Sequence, residues 1–201
     1  MRKWRRVVQG LVASLCMVAA VPGVSTGQMT AGELRAAALA RAASKELMVV
    51  VRGLLAKALA QNGPAGAIHI CADSAQVVGA RLAAQHGLEI RRVSDRWRNP
   101  KDEPDAFERA ELERFAARLA AGVSPDSLEV SRTVTGDSAQ VLRYLRPIVI
   151  GEMCLSCHGD VSKMNGPVVE ALRARYPHDR AVGYRAGQLR GAVSVKVPLA
   201  R

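Results

Sequence analysis

Apolar and polar residues recur with two periods along this chain, and the change of period separates helical from extended regions. After the basic start "MRKWRR", an apolar run from Val7 to Val24 is interrupted mainly by Gln9, Gly10 and Ser14. Thr30 and Glu33 then have the form of a capping box and open a helical pattern that continues to about Gln61. Leu34, Leu47, Val51, Leu54 and Leu55 fall on one side of it, with Arg35, Arg41, Lys45 and Lys57 largely elsewhere. The breaker "NGPAG" at 62–66 ends this pattern, and Pro64 starts a second helix that Gly87 closes. Its apolar stripe is Ile68, Cys71, Ala72, Ala75, Val78 and Leu82, so Cys71 is expected to point inward.

The second half of the chain changes period. "LEIRRVS" (88–94) predicts a strand, and "WRNPKDEPD" a polar loop. "PDAFERAELERFAARLAAG" predicts a third amphipathic helix that ends at Gly122. "LEVSRTV" (128–134) and "AQVLRYLRPIVI" (139–150) predict strands around the turn "TGDS". "GPVVEALRARY" suggests a short helix, and "QLRGAVSVKVPL" a closing strand. Helices followed by an antiparallel sheet of four or five strands define a single α+β domain.

The N-terminal run changes this picture first. A basic start, a short apolar stretch and an exit through Pro22, Gly23 and "VSTG" form the layout of a secretory signal peptide at 1–27. The alternative is an uncleaved N-terminal anchor, for which the run is short. The expected mature domain is 28–201, with an N-terminal helix over 28–62, and the expected location is the periplasm or another exported compartment. Cleavage removes Arg2, Lys3, Arg5 and Arg6, so Lys+Arg falls from 29 to 25 against 18 Asp+Glu, a charge of +7 in place of +11. No aromatic-interleaved basic tract accompanies that surplus, which argues against nucleic acid as a partner. No membrane span is expected after cleavage. With two Trp, three Tyr and two Phe in the chain, the core must be built mainly of Ala, Val and Leu. A large flat apolar cofactor would help to fill it.

Cysteine placement carries the chemistry. Of four cysteines, Cys16 lies in the signal segment, and Cys154 and Cys157 belong to "CLSCH". Cys71 is left without a partner in an oxidising compartment. A Cys-x-x-Cys-His pentapeptide is the signature of c-type haem attachment. Two thiols three residues apart can add across the porphyrin vinyl groups, and the adjacent His158 can then bind the iron. Structural zinc requires about four ligands, and no second Cys/His pair of suitable spacing exists. A thioredoxin-type dithiol would need a parallel βαβ unit, which the pattern lacks. For the second axial position the residues leave Cys71, His69, Met153, Met164, His86 and His178 open. Arg91, Arg92, Arg96 and Arg98 are candidates to pair with the haem propionates or to order the loop around Asn99. Strand alternation allows only one of Arg91 and Arg92 to approach the haem.

The stretches "AIHICADSA", "RRVSDRWRNPKDEPDAFE", "ELERFAARLAAG", "YLRPIVIGEMCLSCHGD" and "YPHDRAVGYRAGQLRGAVSVKVPL" resemble a known family. It is the single-haem c-type, PAS-like domain long known only as a domain of unknown function. The resemblance covers about residues 64–199 and departs from the family at Lys101-Asp102, where an asparagine usually follows the Asn-Pro pair. It implies a PAS-like antiparallel sheet with flanking helices, and one haem c held through Cys154 and Cys157. It further implies His158 and Cys71 as the axial ligands. Arg92 and Asn99 are the remaining candidate cofactor-binding residues. The resulting expectation is a haem-based redox or gas sensor that signals to a separate protein partner. The alternative is a small low-potential electron carrier. No enzymatic activity is expected.

Overall fold

The structure, a computed structural model, describes residues 28–135 and 139–199, with the backbone alone described at 69–72. The candidate signal peptide with Cys16, the centre of the "TGDS" turn, and the side chains of His69 and Cys71 lie outside the described residues.

Helix α1 spans Ala31–His86. Its start is the expected capping box: the Thr30 hydroxyl accepts from the Glu33 amide at 3.2 Å, and the Glu33 carboxylate accepts from the Thr30 amide at 2.7 Å. The break expected at "NGPAG" is a kink inside α1, where Gly63 adopts φ 63°, ψ −179°. That conformation is open essentially to glycine alone, and its extended ψ is what the following Pro64 demands. The kink divides α1 into arms over 31–62 and 64–86. Gly87 closes the second arm in the left-handed conformation, φ 63°, ψ 41°.

The sheet has strands β1 (Glu89–Val93), β2 (Val130–Thr135), β3 (Gln140–Val149) and β4 (Leu189–Leu199). All neighbours are antiparallel in the order β1-β4-β3-β2, so among the described residues the sheet has four strands. The α+β class, the antiparallel sheet and the long N-terminal helix agree with the sequence reading. No helix among the described residues is long and apolar enough to cross a membrane.

The two faces of the sheet carry different layers. α1 covers one face, packing Ala36, Ala40, Ala43, Leu47, Val78 and Leu82 on Leu142, Tyr144, Val193, Val195 and Val197. Leu34 was expected on this stripe but is 56% exposed, because two residues turn the helix by about 200° from the buried Ala36. Leu54 is also exposed, whereas Leu47 and Val51 are buried as expected. Alanines in the first arm let the helix lie close on the strands. Helix α2 (Ala106–Ala120), with its own capping box at Asp105 and Glu108, covers the other face. There Leu112 and Phe115 meet Val93, Leu128, Leu145 and Ala192.

Candidate functional site

The cysteine motif begins where β3 leaves the sheet. Ile150 is still buried, and its backbone bonds with Gln188 and Gly187 at 2.9 Å each. A 3-10 turn over Glu152–Cys154 leads directly into the single-turn helix α3 (Leu155–His158). Residues three and four apart share one side of a helical turn, so Cys154, Cys157 and His158 converge. All three line one cavity of about 560 Å³, within the usual range for small-molecule and cofactor sites. Gly159 ends the turn, since a β-carbon there would sit 2.6 Å from the Leu155 carbonyl oxygen. The elbow of α1 forms another wall: Met48, Val51, Leu55 and Leu59 come from the first arm, and Ala67 and Ile68 from the second. Helix α4 (Gly166–Arg175) supports that second arm through Val168 and Leu172, which pack against Ile68 and Cys157.

The imidazole of His158 is fixed from one side. Its Nδ1 lies 2.6 Å from the Ala181 carbonyl oxygen and must donate to it, which leaves Nε2 with a free lone pair. Burial pushes the His158 pKa well below the usual histidine value, and the positive charges of Arg98, Arg190 and Arg92 act in the same direction. The Ala181 hydrogen bond opposes them. The ring is therefore neutral, the form that binds a metal. Its face is bounded by Tyr184, edge-on at a centroid distance of 6.2 Å. Burial also pushes the Cys157 thiol up, which keeps it protonated.

Arg98, also on the cavity wall, braces the same turn. Its Nε donates to Asp179 at 2.9 Å, and its Nη2 donates to the carbonyls of Cys157 at 2.6 Å and Ala181 at 3.3 Å. Arg92 lines the cavity, whereas Arg91 points through the sheet to the opposite face and pairs with Glu108 at 2.5 Å, as strand alternation requires. Arg91 also donates to the carbonyls of Lys101 and Glu103, so it orders the loop that follows Asn99. Asn99 is not part of the cavity wall. Its side chain accepts from the Lys101 amide at 3.1 Å and caps the 3-10 turn Pro100–Asp102. Arg96 is exposed, donates to the Val182 carbonyl and stacks over the Tyr184 ring at 4.0 Å.

The other axial candidates separate by position. Met153 lines the cavity with 47% of its surface exposed, while Met164 packs with Ile68, Val168 and Leu172. His86 ends α1, and His178 lies in the exposed segment after α4; neither lines the cavity. Cys71 and His69 belong to the second arm of α1, whose described residues Ala67 and Ile68 line the cavity. Among the described residues no three His, Cys, Asp or Glu side chains form a metal cluster.

Sequence reasoning missed Arg190, Tyr184 and the Ala181 carbonyl. Arg190 lines the cavity and donates to Ser94 Oγ at 2.7 Å and to the Arg96 carbonyl at 3.1 Å. A signal for it existed: a charged residue near the start of a mainly apolar strand, followed by Gly191. There φ is 157° and a β-carbon would meet the Val93 carbonyl oxygen at 2.2 Å. The structural role of the Ala181 carbonyl leaves no mark in residue identity.

A family model described as Tll0287-like matches residues 24–198. Among solved structures the chain is similar to the crystal structure of the cyanobacterial heme-protein Tll0287. The TM-score is 0.65 and the identity 24%, over 86% of this chain and 99% of that one. A search of curated proteins finds no match. With the model covering nearly all of the described residues and the architecture shared, this chain belongs to the Tll0287-like family.

Proposed function

We propose that this protein is an exported, single-haem c-type protein that acts as a redox or gas sensor and passes its signal to a separate protein. The observation that carries the haem assignment is the convergence of Cys154, Cys157 and the free Nε2 of His158 on one cavity. The donor set fits a haem: two sulfurs for thioether links, a neutral imidazole for the iron, and apolar walls from both arms of α1. Arg92 and Arg190 line the same cavity and suit two propionate carboxylates. The similar solved structure is that of a cyanobacterial heme-protein. Haem would supply a one-electron redox centre with two axial positions.

Cys71 is the proposed second axial ligand. It sits in the second arm of α1, beyond the Gly63 kink. Loss of its bond would free the cavity-facing start of that arm, at Ala67 and Ile68, while Val78 and Leu82 further along stay packed on the sheet, and such a local release suits sensing. Electron transfer is the second reading, favoured by the exposed Arg96, which stacks over Tyr184, whose ring stands edge-on to His158. With His158 and Cys71 both engaged, no position remains for a substrate, and no catalytic residue is assigned.

Two experiments test these readings. Acid-acetone treatment should leave the haem on the polypeptide, and its passage into the organic layer would remove the covalent assignment. Carbon monoxide mixed with the reduced protein should bind promptly if Cys71 leaves; no binding would turn the reading to electron transfer. Replacing the thiolate by a neutral donor in Cys71→Met should raise the potential by roughly 100–300 mV.

A further inference from the structure

We propose that Arg98 is the positioning residue of this site, holding the Ala181 carbonyl so that His158 keeps a single tautomer and a single orientation. The consequence for the iron rests on the haem reading above; the consequence for the imidazole rests on the protein alone.

The geometry is a closed set of hydrogen bonds. Arg98 and Asp179 are each 11% exposed and pair at 2.9 Å. Asp179 uses its other oxygen to accept from the Ala181 amide at 2.8 Å. The Ala181 backbone is thus held on both sides of its α-carbon, at the N–H by Asp179 and at the carbonyl oxygen by Arg98, at 3.3 Å, and by His158 Nδ1, at 2.6 Å. The same guanidinium nitrogen donates to the carbonyl of Cys157, at 2.6 Å. One planar cation therefore ties the residue before the histidine to the peptide that orients its ring. Only arginine presents donors in a rigid fork that can serve a carboxylate and two carbonyls together; a lysine carries the charge without the fork.

Groups that bond the distal nitrogen of a metal-bound histidine fix its tautomer and ring angle. Here that group is a loop carbonyl, and a loop carbonyl is only as fixed as its own restraints. Without Arg98 the Ala181 oxygen keeps His158 as its remaining partner, and Asp179 loses its counter-charge. The Nε2–H tautomer, which has no lone pair for iron, then becomes accessible.

The test uses the full chain in two forms. Long-range nitrogen–proton NMR of the His158 ring, in chain expressed without haem attachment, should show one tautomer for the wild type. Arg98→Ala should raise the minor tautomer about tenfold or more. Arg98→Lys should fail to rescue it, which separates positioning from charge. In the haem-bearing protein, ferric electron paramagnetic resonance should change from one low-spin species to two in the same variants. Asp179→Asn keeps an acceptor for the Ala181 amide but frees the guanidinium, and should show the same effect more weakly; it decides the matter if Arg98→Ala does not fold. A wild-type tautomer pattern in Arg98→Ala, or full rescue by Arg98→Lys, would overturn the proposal. A purified chain without haem would sink the haem reading, and the tautomer measurement would still decide this one.

Discussion

On the α2 side of the sheet, Glu108 is fully buried and both of its carboxylate oxygens are met from several directions. Oε2 accepts from Arg91 at 2.5 Å and from the Asp105 amide at 2.9 Å; Oε1 accepts from Ser194 at 2.7 Å and faces Arg143 at 3.3 Å. On the α1 side, Arg52, Arg92, Arg98 and Arg190 line the cavity with Asp102 and Glu152, and Arg98 is paired with Asp179 behind it. The two hydrogen bonds of the Arg190 guanidinium go to uncharged oxygens, and burial pulls its pKa down. One face thus compensates its buried charge within the chain. The other buries the Arg190 guanidinium against uncharged oxygens, with Asp102 acting on it only through its field, which suits a wall that meets an anionic ligand. Buried charge alone does not mark a functional site; the balance of charge around it does.

If this contrast is right, breaking the compensated side costs most. Glu108→Ala takes the buried carboxylate from Arg91, leaves Arg143 with Asp105 alone and removes half of the α2 capping box. We expect a loss of about 3–5 kcal/mol in denaturant unfolding. A loss below about 1 kcal/mol would mean that water reaches this cluster and that the two faces differ less than described.

The cavity side should respond in the opposite way. Arg190→Met removes a buried cation of comparable length, and Ser94 still donates to the Arg190 backbone carbonyl at 2.7 Å. The haem-free chain should therefore keep its unfolding free energy within about 1 kcal/mol or gain stability. The added stability that haem confers should fall by about 1.5–3 kcal/mol, the worth of a hydrogen bond to a charged group. Equal losses in the two forms would show that Arg190 is a structural residue like Arg91.

The unequal legibility of these faces in the sequence has a physical basis. The elements were legible because period, caps and breakers are local: Thr30 with Glu33, the Gly63-Pro64 break and the Gly87 stop all act within a few residues. Cys154, Cys157 and His158 were legible for the same reason, since a helical turn brings them together. The alternation of Arg91 and Arg92 followed from the pleat. The bracing by Arg98 was not legible, because it joins residues about eighty positions apart through backbone oxygens that carry no sequence signature. Asn99 stood out as part of a motif, and the structure gives it a local task, capping the turn that carries Asp102.

The pH dependence offers the smallest and sharpest comparison, between Asp102 on the cavity side and Asp105 on the α2 side. Burial raises the Asp102 pKa, and the charges of Arg92, Arg190 and Arg91 only partly offset it. For Asp105 burial also acts upward, but the Arg143 hydrogen bond and the Glu108 amide outweigh it, so its pKa is lowered. The signs therefore differ. A raised carboxyl binds protons more tightly folded than unfolded, so its contribution is present below the ordinary aspartate range and lost as pH rises through its folded value. A lowered one contributes above that range and loses its contribution as pH falls through its folded value. Relative to wild type, Asp102→Asn should gain stability as pH rises from the ordinary aspartate range, whereas Asp105→Asn should lose it as pH rises from below that range. Unfolding curves for both variants across the acidic range give two difference plots of opposite slope. Parallel slopes would show that Asp102 has found a compensating partner, and that the cavity wall is electrostatically complete before any ligand arrives.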